Sequence, residues 1–425
     1  MIEDRIAPRV GPTPPTGQER LASLDFMRGI AVMGILAANI VAFGQPQIAY
    51  LWPGGFLTEH GPLSDWLWVV QFTVIDGKMR GLFTLLFGAG MILFLDRARA
   101  RGKGRWLQAR RLGWLFLFGY GHFLFLSKGD ILAIYATCGL IALLCARWRP
   151  RTQLWVGVAV YLLGALKDTV VLGRVYAAAS GRIAPVRDGT GDLAAAMRDA
   201  AIADSRIESV LIRAGDYGGW VLHNVTEHGV QPLLSWVQNG LEAIPMMLIG
   251  MALYRLGLFD GRLDPRRQSL WGWVGLLVGL AGTLAIGLWN HAEGLSYMGA
   301  IWSLDGTSAL PRLPMVLGLA ALLSLWGPRA TGWLGSRISA AGRMAFSNYL
   351  GTSILMLFVF YGWALGLFGE LNRPALYGVV VVTWAIMLAW SPAWLARYCF
   401  GPLEWVWRCL TYARIFPIRR DASPG

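Results

Sequence analysis

About ten stretches of this sequence are apolar over lengths close to the roughly 20 residues a helix needs to cross a bilayer. They lie near residues 24–44, 80–96, 112–127, 131–147, 153–173, 236–257, 269–289, 309–327, 341–363 and 375–397. No other feature limits the fold so strongly. In hydrocarbon a backbone N–H or C=O finds no water, so a spanning segment must be a helix or a strand of a closed barrel. Barrel strands alternate apolar and polar residues over about ten positions, and these continuous runs do not. Composition agrees: 55% of the 425 residues are hydrophobic and 15% are charged, against about 25% charged in a soluble domain. The 21 tryptophans suit a membrane–water interface. The sequence therefore predicts an all-α, polytopic membrane bundle of about ten transmembrane helices with interfacial helices. A soluble globular enzyme, a disordered chain and a disulfide scaffold are excluded.

Lys and Arg number 38 against 25 Asp and Glu, a net charge of +13. In a soluble protein that excess would point to nucleic acid. Here the basic residues gather in short segments between apolar runs, at 97–111, 147–151, 254–267, 327–337 and 413–420. Ten crossings put all of them on one side, and the positive-inside rule makes that side, with both termini, cytoplasmic. The expected partners are membrane lipids, anionic ones included, and not nucleic acid. Residues 63–77 could form a crossing of their own, but that would invert the basic segment at 97–111, so they are expected as an interfacial or re-entrant helix.

The resulting organisation is a polar cytoplasmic tail over 1–22 and a transmembrane bundle over 23–173. An extracytoplasmic, partly helical region covers 174–235. A second bundle over 236–412 ends in a cytoplasmic interfacial helix, and a basic tail covers 413–425. In the 174–235 region Leu193, Met197, Ala200 and Ala201 recur at helical spacing, which predicts an amphipathic helix on the outer face. No cleavable signal peptide is expected in the Pro-rich start, and no tandem or inverted repeat is visible. Cys138, Cys145, Cys399 and Cys409 fit neither a disulfide framework nor a zinc pattern.

Ionisable residues at membrane depth are the natural candidates for function. Asp25 and Arg28 share a face at the cytoplasmic end of the first run, either as a structural pair or as a phosphate site. Asn39 lies deeper, suited to helix–helix hydrogen bonding or to substrate. Lys78 and Arg80 are either snorkelling anchors or a cationic outer lip. His122 lies just inside the outer end of its run, and Asp130 opens the next run after a short turn. Apart, they read as a core histidine and an N-cap; together, as a base and the carboxylate that orients it. Arg343 and Asn348 face the cytoplasmic end of the ninth run. Glu404 and Arg408, spaced i, i+4 beside Trp405 and Trp407, suggest a surface anchor. His60, His122, His223, His228 and His291 all fall on the outer half, but none has HExxH or HxxxH spacing, so no metal is expected. No Walker, dinucleotide or GxSxG motif is present.

In order, LDFMRGIAVMGILAANI, GKMRGLFTLLFGAG, RRLGWLFLFGYGH, GDILAIYATCGL, GRMAFSNYL and FGPLEWVWRCLTY cover both halves of the chain. They resemble the YeiB-like family of bacterial inner-membrane proteins, long described as of unknown function. The resemblance implies a multi-pass protein of the bacterial inner (plasma) membrane. The opening Leu24, Asp25, Arg28, Gly29 and Ala31 is also similar to the start of transmembrane acyltransferases of the heparan-glucosaminide acetyltransferase type and of bacterial O-acyltransferases. That likeness implies transfer of an acyl group from cytoplasmic acyl-CoA, acetyl-CoA above all, to an acceptor hydroxyl or amine on the outer side by means of a histidine.

On this reading His122 deprotonates a small-molecule or glycan acceptor and Asp130 orients it. His60, which follows the first helix, is second choice. Lys78 or Arg80 stabilises the oxyanion, with Asn39 nearby, and Asp25, Arg28, Arg343 and Asn348 face the CoA. The alternatives are a transporter or export component for a small or amphiphilic molecule, and a sensor acting through 174–235. A homo-oligomer is compatible with each.

Overall fold

A computed structural model describes residues 17–58, 61–102, 104–182 and 190–420. The described residues are overwhelmingly helical. The first half of the chain runs α1 (Gly17–Gly44), α2 (Gln47–Leu51), α3 (Pro62–Val74), α4 (Lys78–Arg99), α5 (Arg105–Phe125), α6 (Leu132–Leu144) and α7 (Pro150–Ala179). Then come α8 (Thr190–Ala214), α9 (Tyr217–His228), α10 (Gln231–Leu256), α11 (Pro265–Ala292) and α12 (Tyr297–Ile301). The last group is α13 (Ala309–Trp326), α14 (Trp333–Arg343), α15 (Ala345–Phe360), α16 (Arg373–Arg397) and α17 (Pro402–Tyr412). The expected apolar runs fall mainly on these helices, except that 341–363 is divided between α14 and α15.

Six helical stretches are long and apolar enough to cross a membrane: those within α1, α3–α4, α7, α11, α13 and α16. The pair α14–α15, bent by 86° at Met344, makes a seventh if it counts as one span. The protein is therefore a helical membrane protein. The other expected runs lie in α5, α6 and α10. Arg105, Gln108, Arg110 and Arg111 crowd the first turns of α5, while Gln238, Asn239 and Glu242 dilute α10, and α6 is short. Of residues 63–77, those up to Val74 lie in α3 and the rest form the turn into α4, with Gly77 in the left-handed conformation, so that α3 and α4 make one apolar stretch, Pro62–Arg99.

Helix α1 is the centre of the bundle and packs against α4, α13, α14, α15 and α16. Glycine permits the tightest crossing: a Cβ on Gly342 would lie 1.8 Å from the Asp25 carbonyl oxygen, and one on Gly29 would lie 2.1 Å from that of Ile338. That approach sets Arg28 and Arg343 side by side at one end of the bundle. Gly88 of the GAG motif meets Met247 of α10, and Gly250 meets Leu85 of α4, in the same way.

The 174–235 region takes in the end of α7, all of α8 and α9 and the start of α10, and α8 is buried mainly toward its C-terminal half. Met197 is exposed, whereas Ser205, Glu208, Ser209 and Ile212 are buried. There Lys128, in the turn between α5 and α6, reaches Asp204 at 2.9 Å and Glu208 at 2.7 Å and ties that half of α8 to the bundle.

One ion-pair network ties three helices together at depth. Glu242 of α10 accepts from Arg80 of α4 at 2.7 Å and from Arg312 of α13 at 3.0 Å. Arg312 also donates to the Leu304 carbonyl at 2.6 Å and to Ser308 Oγ at 2.9 Å. Removing one partner of a buried pair costs about 3–5 kcal/mol, because the remaining charge is left without compensation. Only Arg312 is buried, with Arg80 36% and Glu242 27% exposed, so Glu242→Gln, which leaves two guanidiniums facing each other, is expected to cost less than that, about 1–3 kcal/mol. A clearly lowered melting temperature in detergent is the readout, and an unchanged one would contradict the assignment.

Candidate functional site between the two ends of the bundle

The site is built around the turn that joins α5 to α6. Helix α5 ends at Phe125, and the Ser127 hydroxyl accepts from the Gly129 N–H at 3.2 Å to close the turn. Asp130 Oδ2 accepts from the Ala133 N–H at 2.7 Å, the capping bond expected of a carboxylate at a helix start. The helices approach closely because residue 119 is glycine: a Cβ there would lie 2.3 Å from the Ala133 nitrogen.

This geometry brings His122 and Asp130 together. His122 Nδ1 lies 3.0 Å from Asp130 Oδ1, and both side chains are 1% exposed. The contact is off the line of an ideal hydrogen bond, and neither atom has another partner. His122 Nε2 is 2.8 Å from Ser353 Oγ on α15. A carboxylate offers no proton, so Nδ1 carries one toward Asp130, while Nε2 faces the Ser353 hydroxyl, which also donates to the Tyr349 carbonyl at 3.4 Å. Carboxylate, imidazole and hydroxyl thus stand in a row, the order used to activate a nucleophile. The His122 ring is also 5.0 Å from that of Tyr349.

Three cavities lie around this turn, and the row meets them at Asp130 alone. The first, of about 180 Å³, opens at the end of the bundle that carries the basic segments. Arg28, Arg111, Arg343 and Glu404 border it, together with Tyr135, Tyr349 and Trp407. Arg111 is held by its guanidinium stacking 4.2 Å over the Trp407 ring. Glu404 turns inward and accepts from the Phe346 N–H at 2.8 Å and from Ser347, so it caps α15 rather than pairing with Arg408. Burial pushes its carboxyl above the usual carboxylate range, against the hydrogen bonds from Ser347.

The second cavity, also about 180 Å³, lies toward the opposite end and is bordered by Asn39, Tyr50, Asp76, Arg80, Asp130, Asp305 and Arg312. A small third cavity of about 20 Å³ sits between them. It shares Tyr135 with the first cavity, and Arg80, Ile131 and Ile134 with the second. The Tyr349 hydroxyl, at the wall of the first cavity, donates to the Gly129 carbonyl at 3.1 Å, and Gly129 borders the second.

The residues expected from sequence divide into four groups. Arg28 and Arg343 border the first cavity, and Asn39, Arg80 and Asp130 the second. His122 stands behind Asp130 and borders none of the three. Asp25 pairs with Arg28 at 3.3 Å but does not border the first cavity. Two residues are committed elsewhere. Asn348 donates to the Ala341 carbonyl and Ser391 Oγ and accepts from Trp390, which ties α14, α15 and α16 together. Lys78 is fully buried and donates to the Phe72 carbonyl rather than forming an outer lip. His60 lies outside the described residues.

Sequence reasoning passed over Glu242, Arg312, Arg111, Asp76 and Asp305. For Glu242 and Arg312 the signal was present: a lone acid and a lone base in separate apolar runs, each needing a partner. Among the described residues, Asp204, His223 and His228 also bring metal-ligating atoms within 4.8 Å of one another. No local motif announced that group, because Asp204 is on α8 and the histidines are on α9.

The chain is 33% identical over 400 residues to the uncharacterized protein YeiB of Escherichia coli (strain K12), a match that covers 92% of this chain and 96% of that one. It is 29% identical over 426 residues to the uncharacterized protein YxaH of Bacillus subtilis (strain 168), covering 96% and 98%. An uncharacterized 39.9 kDa protein of Bacillus acidopullulyticus is 26% identical over 419 residues, covering 94% and 96%. A family model described as a protein of unknown function (DUF418) matches residues 253–414. No solved structure matches the chain. On a likeness that runs nearly the full length of both proteins, the chain belongs to the YeiB-like family.

Proposed function

We propose that the chain is a membrane-embedded acyltransferase that passes an acyl group from acyl-CoA, entering at the basic end, to a hydroxyl or amine acceptor at the opposite end. The observation that carries this reading is the row of cavities, cationic at one end and rich in carboxylates and amides at the other. Arg28, Arg111 and Arg343 suit the phosphates of CoA, because guanidinium forks bind phosphate oxygens in pairs. The cavity takes the acyl-bearing arm and leaves the nucleotide at its mouth. Asn39, Tyr50, Asp76 and Asp305 suit a polyhydroxylated acceptor such as a glycan.

Asp130 borders the acceptor cavity, and His122 supports it from behind. We therefore exchange the roles expected from sequence. Asp130 takes the acceptor's proton as the acceptor oxygen or nitrogen attacks the thioester carbonyl. Arg80, at the wall of both the second and third cavities, faces the developing oxyanion. The tetrahedral intermediate collapses with cleavage of the C–S bond. The departing CoA thiolate recovers the proton from Asp130, so the carboxylate is regenerated.

In this reading the bundle crosses the bacterial inner membrane ten times, through α1, α4, α5, α6, α7, α10, α11, α13, α15 and α16. Both termini are then cytoplasmic. Single cysteines placed in α8 and in the α4–α5 loop of a cysteine-free variant test the arrangement. A membrane-impermeant maleimide should label the first and not the second in intact cells, and labelling of both from outside would contradict it.

A transporter is favoured by the same alignment of cavities. The two readings separate in proteoliposomes. A transporter moves substrate with no acyl donor present, whereas the acyltransferase consumes acyl-CoA. With purified protein and labelled acetyl-CoA, Asp130→Asn and His122→Ala should each lower transfer by about 10²–10⁴-fold, the usual contribution of acid–base catalysis. Arg111→Ala should raise the KM for acyl-CoA by about tenfold or more, the loss of one charge-assisted hydrogen bond. Full transfer activity in both Asp130→Asn and His122→Ala would sink the assignment.

A further inference from the structure

On the side away from the basic segments, α8 and α9 carry a cluster that the reading above does not use. Asp204 Oδ1 lies 2.8 Å from His223 Nε2 and 3.0 Å from His228 Nε2. The other carboxylate oxygen of Asp204 accepts from the Lys128 ammonium at 2.9 Å. The Gln231 side-chain amide lies 2.9 Å from His228 Nδ1. We infer that Asp204, His223 and His228 form a binding site for a divalent transition-metal ion of the zinc class.

The donor set is the first argument. Two imidazoles and one carboxylate are ligands that zinc accepts, and three protein ligands leave the fourth tetrahedral position for water. Zinc bonds of about 2.0–2.2 Å place neighbouring ligand atoms roughly 3.3–3.5 Å apart. The observed 2.8 and 3.0 Å would open by about 0.3–0.7 Å, and the two histidine nitrogens already stand within 4.8 Å of each other.

The second argument is the set of groups around the ligands. Metal-ligating histidines give their other ring N–H to a fixed acceptor, and ligating carboxylates are themselves hydrogen-bonded. Lys128 fills that place for Asp204. Gln231 fills it for His228 once its amide oxygen faces Nδ1, an orientation a simple flip allows. Charge is the third argument. Asp204 and Glu208 provide two carboxylates against the single ammonium of Lys128, so these three groups carry one negative charge without a metal. The histidines are 13% and 14% exposed and Asp204 27%, so an ion can reach them from outside.

An ion there would pin α9 to α8 above the α5–α6 turn. Lys128 carries that constraint to a point two residues from Asp130. The site does not depend on the acyltransferase reading.

The test uses tag-free, full-length protein in detergent, stripped with a chelator and titrated with Zn²⁺ by calorimetry. One zinc per chain is expected to bind and to survive desalting. Asp204→Asn, His223→Ala and His228→Ala should each weaken binding at least tenfold, and Gln231→Ala by about tenfold, as second-layer partners do. X-ray absorption at the zinc edge of the wild-type protein should show two imidazoles with oxygen ligands, a readout that no folding defect in a variant can affect. Absence of saturable binding, unchanged affinity in all three ligand variants, or a sulfur shell pointing to Cys399 or Cys409 would overturn the inference.

Discussion

Glu242, clamped between Arg80 and Arg312, is the interaction on which the interior depends. Within a bilayer an unpaired charge is costly enough that helices bearing opposite charges are driven to share a site. Here that requirement fixes α4, α10 and α13 against one another. It also places two guanidiniums at the wall of the second cavity. Without the carboxylate, Arg80 and Arg312 could not stand so close, and the polar character of that end of the bundle would be lost. The network stabilises the fold and, by the same contacts, creates the polarity of the cavity.

A second set of constraints is steric. Gly342 and Gly29 let α1 and α14 touch backbone to backbone, and Gly119 does the same for the hairpin of α5 and α6. These approaches decide where the functional groups sit. The first brings Arg28 and Arg343 to one cavity, and the second sets His122 against Asp130. In both cases a missing side chain positions a charged one.

The helical, membrane-embedded character of the chain was legible from the apolar runs alone, since hydrocarbon leaves the backbone few other options. The short turn between their helices brought His122 and Asp130 near each other on the sequence, but that they touch was not legible, since it depends on the close approach at Gly119. What escaped the sequence was long-range. Glu242 and Arg312 are 70 residues apart, and nothing local says that they meet. Asp204 and His228 are 24 apart, on separate helices. Lys78 and Asn348 looked like site residues because polar side chains at depth are informative. Their partners proved to be the Phe72 carbonyl and the neighbours of α15, which only the packing reveals. For α8 the apolar spacing left open which half of the helix is buried, because the Lys128 pairs with Asp204 and Glu208 that tie its C-terminal half down are long-range.

In the proposed function the basic end of the bundle receives acyl-CoA and directs its acyl group toward Asp130. The most direct measurement is a cryo-EM map of the full-length protein with a non-hydrolysable acyl-CoA analogue at saturating concentration. The account predicts density for the phosphates beside Arg28, Arg111 and Arg343, with the acyl-bearing arm running past Tyr135 and Tyr349 toward the second cavity. A map with that cavity empty, or with the analogue bound elsewhere, would contradict it.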